Sequence, residues 1–142
     1  MAEVEIRRPE RADGGQLFEL VRDFVTSFPA DESAFARSFE VLLDDPGCDL
    51  LCAFDGAEMT GYVLAFRHPT FFANGPVAWV EELHVRPEYR RRGIAAALMR
   101  AVESRAREHG VRLVALATRR ADEFYRAIGY EESATYYRRV LG

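Results

Sequence analysis

The chain has 142 residues and a mass of 16.1 kDa, the span of one domain, and 49% apolar residues supply the material for a core. Charged residues at 30%, aromatics at 12% and a net charge of -4 argue against disorder and against a dedicated nucleic-acid binder. No apolar run reaches the roughly 18–20 residues that a membrane span needs. The N-terminus has no secretory apolar region, and Cys48 and Cys52 are too few for a disulfide scaffold and fit no common zinc spacing. A single domain over residues 1–142, reduced and cytoplasmic, with no metal and no membrane partner, is the expectation.

All 19 basic residues are arginine. Schiff-base chemistry and a phosphate-loop lysine are therefore excluded, and any anion must be held by arginines, backbone amides or helix ends.

Val4–Arg8 alternates apolar with polar and predicts a first strand. Asp13 can cap a helix with Leu17, Leu20, Val21, Phe24 and Val25 on one stripe, broken at Phe28-Pro29. Asp31 opens a second helix that turns Phe35, Phe39, Leu42 and Leu43 inward. Leu50–Phe54 and Met59–Arg67 read as a hairpin around Asp55-Gly56, His68–Pro76 as a loop, and Val77–Val85 as a further strand ended by Pro87. Helical periodicity runs through Arg92–His109 and stops at Gly110. Val111–Ala117 reads as a strand covered on both faces, followed by a short helix around Ala121–Ile128 and a closing strand over Ala134–Val140. The order βααβββαβαβ predicts an α+β fold, a mixed and mostly antiparallel sheet flanked by helices.

Arg90-Arg91-Arg92-Gly93-Ile94-Ala95-Ala96 joins a strand to a long helix. Three consecutive arginines at the partially positive end of a helix repel it and one another, and a bound anion relieves that repulsion. Gly93 lets the backbone approach a ligand closely, and Ala95 and Ala96 leave the first turn uncrowded. The exposed amides of residues 91–96 then suit a pyrophosphate. A Walker A loop is excluded by the missing lysine, and no G-x-G-x-x-G occurs.

Arg90-x-x-Gly93-x-Ala95, placed directly after a strand, resembles the central motif of the GNAT acetyltransferases. Phe124-Tyr125-Arg126-Ala127-Ile128-Gly129-Tyr130 is similar to a second motif of that family, so residues 80–130 carry the resemblance. It implies an acetyl-CoA site where the fourth and fifth strands splay apart. Residues 91–96 would hold the pyrophosphate, backbone groups of Leu83, His84 and Val85 would pair with the pantetheine arm, and an amide of this strand could stabilise an oxyanion. Tyr125 matches the tyrosine that serves as general acid in the family. Seven residues before it, where many relatives carry asparagine, stands Thr118, a departure.

Strand alternation places Glu81 on one face with Val77, Trp79, Leu83 and Val85, and Glu82 and His84 on the other. A carboxylate in that apolar stripe is either a paired structural glutamate or a base. An alkylamine with a pKa near 10.4 must shed a proton before it attacks a thioester, so Glu81 is the first choice for general base and Glu82 the second. The acidic pair resembles polyamine-type members of the family. Phe28, Phe71, Trp79 and His68 are candidates to line an acceptor pocket; Phe28 and Phe71 could equally be core plugs or a dimer contact. The expected reaction is acetyl transfer from acetyl-CoA to a small cationic primary amine by direct attack. A protein N-terminus or an aminoglycoside is an alternative acceptor, and a non-catalytic acyl-CoA sensor is the alternative of another class. An edge strand and exposed aromatics are compatible with a homodimer.

Overall fold

The computed structural model describes residues 4–25 and 27–142. Its elements are β1 (Glu5–Arg7), α1 (Gly14–Phe24), α2 (Glu32–Leu43), β2 (Cys48–Asp55), β3 (Glu58–Thr70), β4 (Gly75–Val85), α3 (Ile94–Glu108), β5 (Val114–Leu116) and α4 (Asp122–Ala127). Short 3-10 turns precede α1 at Arg11–Asp13 and α3 at Pro87–Tyr89. The five strands pair in chain order; β1 to β4 are antiparallel and β5 runs parallel to β4.

The period-2 pattern of the strands loads both faces of this sheet. Leu50, Cys52, Tyr62 and Leu64 pack under Leu17, Leu20 and Phe39 of α1 and α2. Leu51, Ala53, Val63, Ala65 and Val80 meet Ile94, Leu98, Met99 and Val102 of α3 on the opposite face. Gly61 sits where β3 passes closest to β4, since a Cβ there would come within 2.9 Å of the His84 carbonyl oxygen. Cys48 and Cys52 are free and buried in β2, and burial pushes their thiols up to about 11 and about 12, as befits packing residues.

Several expectations are corrected. Asp13 precedes α1 without a side-chain cap; its carboxylate accepts instead from Arg7 (3.0 Å) and the Glu10 amide (2.7 Å). Asp31 does cap α2, accepting from the amides of Ser33 (2.9 Å) and Ala34 (3.2 Å). The expected loop 68–76 is mostly strand: His68 pairs with Val77 and Thr70 with Gly75, leaving a four-residue turn. β5 has three residues and is half-buried. No strand forms over 134–140. The segment 131–142 is exposed and crosses to the face bearing Trp79, where the Tyr136 ring stacks at 6.3 Å and Arg138 reaches Ser27 (3.2 Å). A segment leaving the sheet plane this way has no edge to pair with, whatever its β propensity.

Asp49, 1% exposed, ties the two layers together. It accepts from Arg67 of β3 (2.8 Å) and Arg105 of α3 (2.6 Å). Burial pushes this carboxyl up, but the two guanidiniums outweigh burial and hold it below its ordinary range. A depressed carboxyl stabilises the fold above its unfolded pKa near 3.9, and that contribution disappears as pH falls through the folded value. Asp49→Ala is expected to lower unfolding free energy by about 3 kcal/mol in urea titrations at pH 7, because it strands two guanidiniums. Loss of less than about 1 kcal/mol would show the pair to be a surface-type contact.

Candidate active site

The site forms where β4 loses its second neighbour. Ala78, Trp79 and Val80 pair with Val114, Ala115 and Leu116 of β5, and pairing stops there. Residues 81–85 continue along β3 with no partner on the β5 side, among the described residues, so their backbone edge is open.

At the same point the β3–β4 register shifts. Leu64 pairs with Glu82 and Ala65 with Val80, which leaves Glu81 as the extra residue of a β-bulge. A bulge resets the alternation, and the expected side-chain assignment is inverted from here on. Glu81 is exposed. Glu82 instead points to the α1/α2 face, where its Oε1 accepts a hydrogen bond from the Tyr62 hydroxyl at 2.6 Å. Burial raises the Glu82 carboxyl above its ordinary value; the Tyr62 bond lowers it in part, and nearby Glu81 raises it. Adjacent glutamates in an apolar strand break period 2 and are themselves a sign of a bulge. Tyr62 had no such sign; its sequence context is that of any core tyrosine.

His84 also lies on this face, across from Tyr62 and with Phe24 at 6.0 Å. Its Nε2 is buried without a hydrogen-bond partner, and burial, then Arg90, lower its pKa. The imidazole is therefore neutral at pH 7. Leu83 and Val85 face α3.

A cavity of about 240 Å³ opens on the α1/α2 face between α1, α2 and the sheet. Leu17, Val21, Phe35, Leu42 and Leu64 wall it, and Tyr62 and Glu82 lie among its lining residues. Three expected pocket residues are placed elsewhere. Phe71 is fully exposed in the β3–β4 turn, seven residues beyond Leu64 and so roughly 20 Å from Glu82. Phe28 is 60% exposed in the α1–α2 connection, and His68 belongs to the far end of β3. Trp79 shares the face of Glu82 but stacks on Tyr136.

The arginine-glycine motif forms the head of α3. Gly93 is the N-cap, left-handed at φ 76°, and nothing lies within 4 Å of where its Cβ would be. Arg91 is also left-handed, at φ 63°, a costly conformation for a side-chain-bearing residue. Among the described residues, the six amides of 91–96 donate to no acceptor; the first helical bond runs from Ala97 to the Gly93 carbonyl (3.0 Å). Arg90 donates to the Val85 carbonyl (3.2 Å) and Arg92 stacks 5.0 Å from the Tyr89 ring. None of the three arginines pairs with a carboxylate among the described residues. Ile94 is buried, so its amide, not its side chain, faces the loop, while Ala95 and Ala96 leave the turn open.

α4 packs on the α3 face of the sheet. Tyr125 is half-buried between Phe124 (4.9 Å) and Tyr130 (5.9 Å), and burial raises its hydroxyl above the ordinary tyrosine value. Tyr125 and Glu82 thus belong to opposite faces of the sheet. Thr118 is exposed, and its hydroxyl accepts from the Ala121 amide (3.1 Å), a local turn bond ahead of α4. Among the described residues no cluster of three or more His, Cys, Asp or Glu could hold a metal, and no helix is long and apolar enough to cross a membrane.

The sheet thus splits beside a helix head whose six amides are vacant among the described residues. Residues 16–130 match the acetyltransferase (GNAT) family, so the chain belongs to that family. It is 32% identical over 102 residues to an aminoglycoside N(6')-acetyltransferase type 1 of Stenotrophomonas maltophilia, a match spanning 65% of this chain and 65% of that protein. A solved structure named as a transcriptional regulator from Bacillus halodurans C-125 superposes with a TM-score of 0.91 at 23% identity, covering 98% of this chain and all of that one. An aminoglycoside N-acetyltransferase solved in complex with CoA superposes at 0.84 with 21% identity, over 99% and 97% of the two chains. At these identities the structural matches establish the fold.

Tyr62 donates the hydrogen bond that moderates Glu82. Tyr62→Phe is therefore expected to raise the Glu82 carboxyl further and to move the acid limb of any Glu82-dependent rate profile to higher pH. An acid limb that stays in place separates Tyr62 from the site.

Proposed function

We propose that this protein transfers an acetyl group from acetyl-CoA to a small cationic amine by direct attack. The observation carrying this reading is the run of six unpaired amides at residues 91–96 around left-handed Gly93. Such a nest, flanked by unpaired arginines, suits a pyrophosphate, and the open edge of residues 81–85 suits an extended amide-bearing arm. The residues fit the group: the amides of 91–96 with Arg91 and Arg92 would hold the diphosphate, and Leu83, His84 and Val85 would hold the arm through their backbones. Acetyl-CoA would supply an activated thioester and a thiolate leaving group.

The chain's own residues divide the proton work between the two faces of the sheet. Glu82 Oε2, the oxygen not bonded to Tyr62, takes the proton from the incoming ammonium on the α1/α2 face. A raised pKa suits this step, since a base works best when poised near the ambient pH. Tyr125 Oη, on the other face, gives a proton to the departing sulfur. A backbone amide of residues 82–85 stabilises the developing oxyanion. Glu81, exposed in the bulge, adds to the field that draws cations toward the cleft and raises Glu82. Thr118, whose Oγ1 accepts from the Ala121 amide, still has its O–H to donate to the arm.

The named relative at 32% identity favours a second reading in which the acceptor is an aminoglycoside. Assembly as a homodimer is supported by β5, whose outer edge pairs with no strand among the described residues, and by the exposed aromatics of 131–142. A monomeric mass in sedimentation at about 50 µM would remove that assembly.

Thiol release across a panel of amines tests the activity. Glu82→Gln is expected to lower kcat about 100-fold and to abolish the acid limb, while Glu81→Gln stays within about threefold. The profile falls as pH drops through the raised Glu82 value, because only the ionised carboxylate accepts a proton. Tyr125→Phe should reduce kcat about tenfold with donor affinity unchanged, as a general acid acting on a good leaving group would. Equal losses in the two glutamate variants would overturn the choice of base. Gly93→Val should weaken CoA binding in calorimetry at least tenfold, because φ 76° disfavours a β-branched residue; unchanged binding would move the donor elsewhere.

A further inference from the structure

The acceptor cavity is more selective than the acetyl-transfer reading, on which this inference rests, requires. Its volume is about 240 Å³, where an apolar cavity of roughly 150 Å³ already accepts benzene. The space, open to solvent on one side, seats one ring and a short chain against its walls. Its walls are aliphatic and aromatic: Leu17, Phe18, Val21, Phe35, Leu42 and Leu64. The Phe18 and Phe35 rings meet at 5.3 Å, and Phe35 stacks on Phe39 at 5.5 Å, so the aromatic wall is already ordered.

Polar groups are few, and most are committed. The Tyr62 hydroxyl already donates to Glu82. Asp31 takes the Ser33 and Ala34 amides and the Ser33 hydroxyl on Oδ1, which caps α2. That leaves the second oxygens of Glu82 and Asp31 and the Ser38 hydroxyl. A polyhydroxylated sugar bearing several ammonium groups would bury hydroxyls with no partners on these walls, and each unpaired group is costly. One ammonium on an apolar body meets every condition: the charge at Glu82, the body against the phenylalanines.

We infer that the acceptor is a primary amine carried on a compact apolar body, such as an arylalkyl amine, and that the apolar cavity between α1, α2 and the sheet selects against aminoglycosides. Three probes separate the outcomes in a thiol-release assay: 2-phenylethylamine, spermidine and neamine. Selectivity of at least about tenfold in kcat/KM for 2-phenylethylamine over the other two is expected, the order that apolar-pocket discrimination reaches. Neamine or spermidine turned over as well or better overturns the inference and leaves acetyl transfer standing. Release with none of the three overturns the acetyl-transfer reading and this inference with it. A second readout does not need turnover: 2-phenylethylamine should bind the free protein saturably in calorimetry. Ala34→Phe, which sends a ring into the cavity from α2, should abolish that binding while CoA binding, measured on the same sample, attests the fold. Retained amine binding in a variant that still binds CoA overturns the placement of the pocket.

Discussion

One extra residue in β4 organises the whole site. The bulge at Glu81 coincides with the end of β5 pairing at Val80, so the strand is re-aimed just where its outer edge comes free. Before the bulge, β4 is an ordinary interior strand with neighbours on both sides. After it, Glu82 and His84 face α1 and α2, Leu83 and Val85 face α3, and the backbone between them is open. A carboxylate, an exposed ladder edge and an apolar cavity meet there because a pleated strand can change face only by gaining or losing a residue.

The second organising feature is electrostatic. Without any lysine, the chain has gathered arginine at a helix head, where cations are unfavourable, and has left the adjacent amides without acceptors. Arg91 adopts a left-handed backbone there as well. Repulsion and unsatisfied donors meet in this one loop, the features on which the proposed diphosphate site rests. The buried Asp49 pair shows the contrasting use of arginine in the same molecule, where two guanidiniums close on one carboxylate and no ligand is needed.

Much of this was legible beforehand, and the failures have physical causes. The helices were readable because each carries a 3.6-residue apolar stripe, and the Gly93 loop because glycine beside three arginines is conspicuous. Asp31 was readable as a cap because a cap is a local bond. Asp13 was not, because it ends a 3-10 turn and its Oδ2 is taken by Arg7, six residues earlier, and by the Glu10 amide. The segment 134–140 has the composition of a strand but crosses to the Trp79 face, where a stacked tyrosine holds it instead of a ladder. Phe71, beside Phe72 in an expected loop, could be read as a pocket residue or a core plug. Its distance from Glu82 follows from how far β3 and β4 extend, which local pattern underestimates.

The candidates Glu82 and Tyr125, the arginine-glycine loop and membership of the acetyltransferase family were all legible in the linear chain. These depend on which side chains exist and on short spacings along one helix or turn. The exposure of Glu81 against the half-burial of Glu82, the partnership of Glu82 with Tyr62, and the apolar cavity between α1, α2 and the sheet came only from the tertiary structure. Each depends on inter-strand register and on surfaces brought together from α1, α2, β3 and β4, and a single-residue slip in register turns every later side chain to the other face.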